Sequence, residues 1–460
     1  MQDCFLDSKP ADSIPLVPVP ENTFSQWLEG QPDTVKRWIA ATSFRARPNS
    51  TCLVPAADGT LTRVIVGITS PNDPWACGGL PTTLPAGSYH IDTDWSVAVM
   101  ERLALGWGLG AYKFSRYKEN KQPSVRLVLD PTWNVLQICQ LLQAITLIRD
   151  LINTPAEDMM PEQLAEAVLA LGRESGAQVE QVVGDALLTQ NYPLIHAVGR
   201  ASTHPPRLLE LCWGDERHPK VTLVGKGVCF DSGGLDLKNT SGMRLMKKDM
   251  GGAAHALGLA RLLMSAGLPV RLRVLVAAVE NAVAGNALRP GDVIKSRKGL
   301  TVEIHNTDAE GRLILGDALT EAAAENPAVM IDFATLTGAA RVALGPEVPA
   351  LFCNNEELAA GLLAAAEEDK DPLWRMPLHQ PYREMLDSKI ADIANASDST
   401  FAGAVTAALF LQEFVPENIP WAHIDLMAWN TRARPGRPEG GEAMGLQAVY
   451  RYLQGRLEDW

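Results

Sequence analysis

The stretch Asn306-Thr307-Asp308-Ala309-Glu310-Gly311-Arg312 places two carboxylates and a guanidinium close together, directly after an apolar-alternating run, Thr301 to His305, that reads as a strand. In an extended segment, side chains at i, i+2 and i+4 point to the same side. The spacing therefore predicts that Asp308, Glu310 and Arg312 project together from the end of that strand. Two like charges on one face repel unless a cation lies between them. Arg312 supplies part of that charge; a metal ion would supply it better, and further ligands for one occur elsewhere in the chain.

A second polar cluster, Gly225-Lys226-Gly227-Val228-Cys229-Phe230-Asp231-Ser232-Gly233-Gly234, follows a buried-strand pattern at Val221 to Val224. Lys238 comes next, then Lys247-Lys248-Asp249-Met250-Gly251-Gly252 at the mouth of a helix predicted over 253–266. Glycine beside such groups lets the backbone approach a ligand closely. The phosphate-loop and dinucleotide-binding glycine patterns are absent, and so are H-E-x-x-H and G-x-S-x-G. Two readings stay open on spacing alone. One is an oxygen-rich metal centre of Asp231, Asp249, Asp308 and Glu310, whose charge calls for about two divalent ions. The other is a scatter of helix caps and surface charge, with Asp249 as the N-cap of helix 253–266.

Around these clusters the pattern alternates. Strands are predicted at Val221 to Val224, Val274 to Val279, Val302 to His305, Val329 to Phe333 and His423 to Leu426, and helices at 253–266 and Leu313 to Ala324. Such alternation argues for an α/β fold with a mixed, mainly parallel sheet flanked by helices, and functional residues gather at the carboxyl ends of its strands. The first ~130 residues, rich in proline and short apolar runs such as Arg63 to Ile68 and Val125 to Leu129, read as a small N-terminal α/β domain. A helical pattern from Trp133 to about Asn153, ended by Pro155, reads as a connector, and Pro161 opens the next helix. The expected division is 1–130, 131–153 and 154–460.

The 460 residues are 46% hydrophobic and 21% charged, an ordinary globular composition. No run of eighteen uninterrupted apolar residues occurs, so no membrane span is expected, and the amino terminus lacks a secretory pattern. Seven scattered cysteines without a C-x-x-C pair argue for a reducing compartment. A net charge of −13 makes nucleic acid an improbable partner. The local basic cluster Lys113, Arg116, Lys118, Lys121 and Arg126 reads as a solvated face.

The two polar clusters resemble the leucine aminopeptidases of the cytosolic, two-metal type, the family of cytosol aminopeptidase and bacterial aminopeptidase A. The heptad with Leu313 matches that family's signature. Val224 to Gly227, Phe230 to Gly234, Lys248 to Ala254, Ala334 to Ala339, Asn153 to Ala156 and Trp421 to Asp425 resemble it in the same order. The resemblance covers roughly 135–460; the first ~130 residues fit only by position.

The resemblance implies a metalloaminopeptidase that hydrolyses the N-terminal peptide bond of unblocked peptides through a hydroxide bridging two metals. Lys226 and Asp249 would belong to one metal and Asp308 to the other, with Asp231 and Glu310 shared. Lys238 and Arg312 would be the catalytic residues outside the ligand set. Thr335, Leu336 and Gly338 would line the peptide, and Met246 and Met444 the first side-chain pocket. Ligation by Lys226 requires a neutral amine, hence a depressed pKa. Arg312 cannot act as a base and would hold bicarbonate. The metals would be Zn, Mn or Mg, the assembly a homohexamer, and the location cytoplasmic.

His305 and His255 are read as packing or supporting residues, Asp332 and Asp425 as structural, and Cys229 as a small buried residue. Asn239-Thr240, where many relatives carry a proline, suggests a more flexible loop. Arg244 and the Lys247-Lys248 pair place positive charge near the site, so a leucine preference is not implied. Two other functions compete: a two-metal hydrolase of phosphate esters, served by Lys238 and Arg312, and the architectural DNA-binding role of some bacterial relatives.

Overall fold

The computed structural model describes residues 2–119 and 124–456. The chain forms two compact units: Met1–Thr146 with Arg432–Glu439, and Leu147–Thr431 with Gly440–Trp460. Lys121 lies outside the described residues; of its basic neighbours, Arg116 and Lys118 are exposed and Lys113 and Arg126 half-buried.

The first unit carries a six-stranded sheet in the order 5–6, 125–128, 87–91, 14–20, 61–68, 51–55. All neighbours are parallel except the edge strand Thr51–Pro55. Its central strands Ile14–Pro20 and Leu61–Ile68 alternate toward a core of Val19, Phe24, Ile39, Val54 and Ile65.

The second unit is built on an eight-stranded sheet in the order 374–375, 350–353, 421–425, 329–334, 220–231, 271–281, 207–213, 178–183. Its middle is parallel: Lys220–Asp231 pairs with both Val329–Ala334 and Arg271–Asn281, and Val329–Ala334 with Trp421–Asp425. Strands on either side run antiparallel. The central strand is buried along nearly its whole length, as a parallel strand covered on both faces must be. Val224, Val228, Ala277, Val279, Met330 and Ala334 pack in one core with Leu313, Ile314 and Ala318 of the helix Glu310–Ala323. Lys226 has the same parity as Val224 and Val228, so it projects beneath the start of that helix. The helix Gly251–Ser265 packs on the same strands and is buried along most of its length.

One difference from the sequence reading decides the site. Thr307 and Asp308 form a turn, and Glu310 opens the helix Glu310–Ala323. Asp308, Glu310 and Arg312 therefore do not project together as an extended triplet: in a helix, residues two apart point roughly 200° from each other. The side chain of Asn306 closes the turn, its Oδ1 accepting from Asp308 N–H at 2.8 Å, and a carboxylate in the first helical turn is favoured by the helix dipole.

The helix Val135–Asn153 is long and apolar enough to cross a membrane by length and composition, which the absence of an uninterrupted apolar run had hidden; half of its most apolar window is buried within the protein. Its Arg149 is fully buried and paired with Glu442 at 2.9 Å, which marks a core helix rather than a lipid-facing one.

Candidate metal centre

The carboxyl end of one parallel strand, a turn, a helix start and a short helix deliver the acidic residues. Asp231 ends the strand Lys220–Asp231, beside its register partner Asn281. The two glycines after it have φ of +90° and +67°, a region open to glycine at no steric cost, and they turn the chain back so that Lys238 returns to Asp231. Asp308 lies on the turn and Glu310 at the helix start. Oxygens of Asp231, Asp308 and Glu310 lie within 4.8 Å of one another.

Asp249 approaches from the short turn of helix Met246–Met250 and is not the N-cap of the following helix, whose cap position is Met250 without a side-chain cap bond. Instead its Oδ1 accepts from Thr335 Oγ1 at 2.7 Å and its Oδ2 lies 2.7 Å from Lys226 Nζ. Lys226 Nζ also lies 2.9 Å from Glu310 Oε1 and donates to the Thr335 carbonyl at 3.3 Å. Lys238 Nζ lies 2.7 Å from Asp231 Oδ2 and also pairs with Asp308 Oδ1. Lys226, Asp231, Lys238, Asp249, Asp308, Glu310 and Thr335, all singled out in the sequence, thus share one cluster, buried except at its edge, where Lys238 and Asp308 are half-buried.

The electrostatics are those of crowded negative charge. Burial, then Asp231, pushes Asp308 up to about 6, against the pull of Lys238. Burial and Asp231 push Glu310 up to about 8, with Lys226 opposing. Burial alone would lower Lys226, but Asp249, Glu310 and Asp231 outweigh it and hold the ammonium well above the ordinary lysine range. That is opposite to the depressed value a ligating amine requires: among carboxylates alone the proton is the best available cation. The same opposition holds at Lys238, where Asp231 and Asp308 outweigh burial. Asp249 Oδ2 and Glu310 Oε1 are buried, with Lys226 at ion-pair distance but no hydrogen bond of proper geometry to either. Hard oxygen donors left so are the donor set that divalent cations take.

Arg312 stands apart from the carboxylates. Its Nη1 donates to the Asn395 carbonyl at 2.6 Å, and its buried Nε has no hydrogen-bond partner among the described residues. Burial lowers its pKa to about 10, offset by Glu310 and Asp425, so it stays charged at neutral pH. The free Nε–H suits an anionic acceptor.

The profile of the cytosol aminopeptidase family, catalytic domain, matches residues 146–450, and that of the M17 aminopeptidase N-terminal domain matches residues 14–130. The chain belongs to the cytosol aminopeptidase family. It is a hydrolase of the leucyl aminopeptidase type, in a family of metal-dependent aminopeptidases. A probable cytosol aminopeptidase of Roseiflexus castenholzii is 38% identical over 370 residues, spanning 76% of this chain and 75% of the relative. The crystal structure of cytosol aminopeptidase from Coxiella burnetii superimposes with a TM-score of 0.96 at 50% identity, over 99% of this chain and 100% of that one. The bottromycin maturation enzyme BotP in complex with Mn gives 0.88 at 33% identity, over 97% and 100%.

The remaining sequence-predicted residues fall in two places. Thr335 and Leu336 follow the strand Val329–Ala334, and Gly338 starts the helix Gly338–Leu344 with open space where a Cβ would be. Thr335 is buried and its hydroxyl is committed to Asp249, whereas Leu336 N–H donates to Asp425 Oδ1 at 3.0 Å. Met246 is half-buried at the head of the turn that carries Asp249. Met444 is buried, and its N–H donates to His255 Nε2 at 2.9 Å, while the other ring nitrogen of His255 meets the Gly251 carbonyl at 2.6 Å. Burial lowers His255 to about 4, so the ring is neutral and acts as a strut.

The side residues resolve similarly. His305 faces Glu303 and Asp398. Asp332 bonds Trp421 Nε1 and His423 Nδ1, and Asp425 binds Leu336, Thr337 N–H and the Thr337 hydroxyl. Cys229 is buried, and burial pushes its thiol up. Asn239 caps the short helix Thr240–Met243, so the loop after Lys238 is fastened without a proline. Lys247 donates to the Asn153 carbonyl at 2.6 Å and lies over the Trp429 ring. Lys248 is fully buried with no hydrogen-bond partner among the described residues; burial and then Arg341 lower it to about 7, which removes part of the positive charge expected there.

Three residues of the site were missed in the sequence. Asn281 Nδ2 donates to Asp231 Oδ1 at 2.8 Å and to the Thr307 carbonyl at 3.1 Å. Thr307 Oγ1 donates to the Gly233 carbonyl at 2.7 Å and accepts from Asp236 N–H at 2.8 Å. Asn395 holds the other side of the same turn. Asn281 could have been found, since it lies two residues past the predicted strand Val274 to Val279 and ends the observed one; nothing in the local sequence marks Asn395.

Proposed function

We propose that the chain is a two-metal aminopeptidase that removes the first residue of peptides with a free amino terminus. The observation that carries it is the convergence of Asp231, Asp308 and Glu310 oxygens within 4.8 Å, extended by Asp249 across Lys226. Lys226 and Asp249 would hold one ion and Asp308 the other, with Asp231 and Glu310 between them. Two divalent ions in that position supply a hydroxide nucleophile at neutral pH and polarise a carbonyl. Mn has support from the Mn complex of BotP, and Zn and Mg suit the same oxygen-rich set.

The chain's own groups do the rest. Lys238, at the edge of the carboxylate cluster and 15% exposed in its side chain, would donate to the oxyanion that forms on the scissile carbonyl oxygen. Arg312, with its free Nε–H, would anchor an acidic oxyanion such as bicarbonate, whose oxygen takes and returns the proton that guanidinium cannot. Thr335, Leu336 and Gly338 would carry the peptide along the carboxyl end of the sheet, and Met246 and Met444 would bound the first side chain. Catalysis would reside in 154–460, joined through 131–153 to the N-terminal domain 1–130, in a cytoplasmic homohexamer.

The test is hydrolysis of a free aminoacyl peptide and its N-acetylated counterpart by protein loaded with Mn, stripped by chelator, and carrying Glu310→Ala. Turnover of the free peptide only, lost on stripping and in the variant, is expected. Full activity in exhaustively stripped protein, or equal cleavage of the blocked peptide, rejects the reading. A phosphate-ester substrate in the same assay decides the phosphatase alternative.

A further inference from the structure

Asn395 follows the short strand Ile393–Ala394, which pairs in parallel with Thr301–Glu303. It is fully buried and commits its whole side-chain amide to one turn. Its Oδ1 accepts from His305 N–H at 2.8 Å and from Asn306 N–H at 3.2 Å. Its Nδ2 donates to the Asn306 carbonyl at 2.7 Å and to the Ala309 carbonyl at 3.3 Å. Its own carbonyl accepts from Arg312 Nη1 at 2.6 Å, and its N–H donates to the Glu303 carbonyl at 2.9 Å. A primary amide offers two donors and two acceptor lone pairs; here the segment 305–309 takes all of them. That segment carries Asp308 and launches the helix on which Glu310 and Arg312 stand.

We propose that Asn395 is a positioning residue, which templates the turn 305–309 and through it sets the spacing of Asp308 to Glu310 and the placement of Arg312. This rests on the two-metal reading above. Asn395 is not among the residues that pair with the carboxylates, so its effect passes through the backbone. The far side of the turn is fastened separately by Thr307 to Gly233 and Asp236 and by Asn281. Loss of the amide therefore displaces the turn without releasing it. Aspartate keeps the shape and the two accepted bonds but turns a carboxylate oxygen toward the Asn306 and Ala309 carbonyls. Serine is too short to span both ends.

Full-length Asn395→Asp, Asn395→Ser and Glu310→Ala proteins are compared with the parent in three measurements: Mn2+ titration followed by the spin-resonance signal of free ion, steady-state turnover of an unblocked peptide at saturating Mn2+, and thermal unfolding. Serine guards against aspartate failing to fold. In the Asn395 variants the Mn2+ dissociation constant is expected to rise about 10- to 100-fold, the range for residues that orient ligands from outside the coordination shell. kcat is expected to fall at saturating Mn2+, with KM unchanged. A lowered unfolding temperature with unaltered Mn2+ affinity and kcat assigns Asn395 to folding alone and overturns the proposal. Unaltered values on all three counts, with Glu310→Ala deficient in Mn2+ binding, also overturn it while leaving the metal centre standing. If Glu310→Ala itself binds Mn2+ like the parent, the metal-centre reading falls, and the proposal with it.

Discussion

Lys226 runs its side chain across the face of Gly311: a Cβ at position 311 would lie 2.5 Å from Lys226 Cε. The glycine of the Glu310-Gly311-Arg312 triplet is therefore a clearance, one that lets the amine reach Asp249 and Glu310 from beneath the helix. Gly311→Ala should leave the helix intact, since alanine is the better helix former, and yet displace the amine. A misplacement of order 1 Å costs about 100-fold in rate. The check is kcat with Mn2+ saturating, alongside circular dichroism. Parental turnover in the alanine variant would show that Lys226 does not depend on this clearance.

The raised Asp308 and Glu310 make metal binding pH-dependent. Both groups must lose protons to bind a cation, and their values lie at about 6 and about 8. Mn2+ affinity should rise from pH 6 to pH 8, with proton release, measured by calorimetry in buffers of different ionisation enthalpy. Metal-free stability should run the other way. A carboxylate whose folded pKa is raised from 4.5 to about 8 binds more protons folded than unfolded, so it loses stability as pH rises between those values. Thermal melts of stripped protein should fall from pH 5 to pH 8, and added Mn2+ should restore most at the upper end.

Lys248 offers a stabilising substitution. Its buried amine has no hydrogen-bond partner among the described residues, and an unsatisfied buried polar group costs about 1–3 kcal/mol. Lys248→Met keeps the length and removes the amine, so urea unfolding at pH 7 should show a gain of that order. The folded pKa is lowered to about 7 from 10.5, so the penalty is full below pH 7 and fades as pH rises toward 10.5. The gain should shrink at pH 9. An equal gain at both values would mean that the amine's charge is not the cause.

Arg149 and Glu442 form a buried pair in which Arg149 Nε and Nη2 both donate to Oε1, at 3.1 and 2.9 Å. Arg149→Met strands the carboxylate, at a cost of about 3–5 kcal/mol. Glu442 precedes the segment that carries Met444, so the variant should also raise KM for a peptide with a large first side chain more than for one with alanine. Unfolding in denaturant and paired KM values test the two parts separately.

The sequence by itself determined the alternation of strands and helices in the second unit, because a strand buried on both faces is mostly apolar, as Val221 to Val224 (with Thr222) and Val274 to Val279 are. It determined the acidic residue types as well, since a cation centre needs oxygen donors and their motif is local. What it could not determine was direction. Asp308, Glu310 and Arg312 read as an extended triplet, but the helix starts at Glu310, after a turn whose backbone groups are met by the side chain of Asn395, distant in the sequence. Spacing left Asp249 open between metal ligand and helix cap, and only the structure, where Thr335 and Lys226 hold its carboxylate, removes the cap. Whether Lys226 stays charged, whether Lys248 gives up part of its charge at neutral pH, and which nitrogen of Arg312 has no partner among the described residues all depend on burial and on neighbours distant in the chain. Those are properties of the packed structure, where desolvation and charge spacing act together, and no local pattern of residues encodes them.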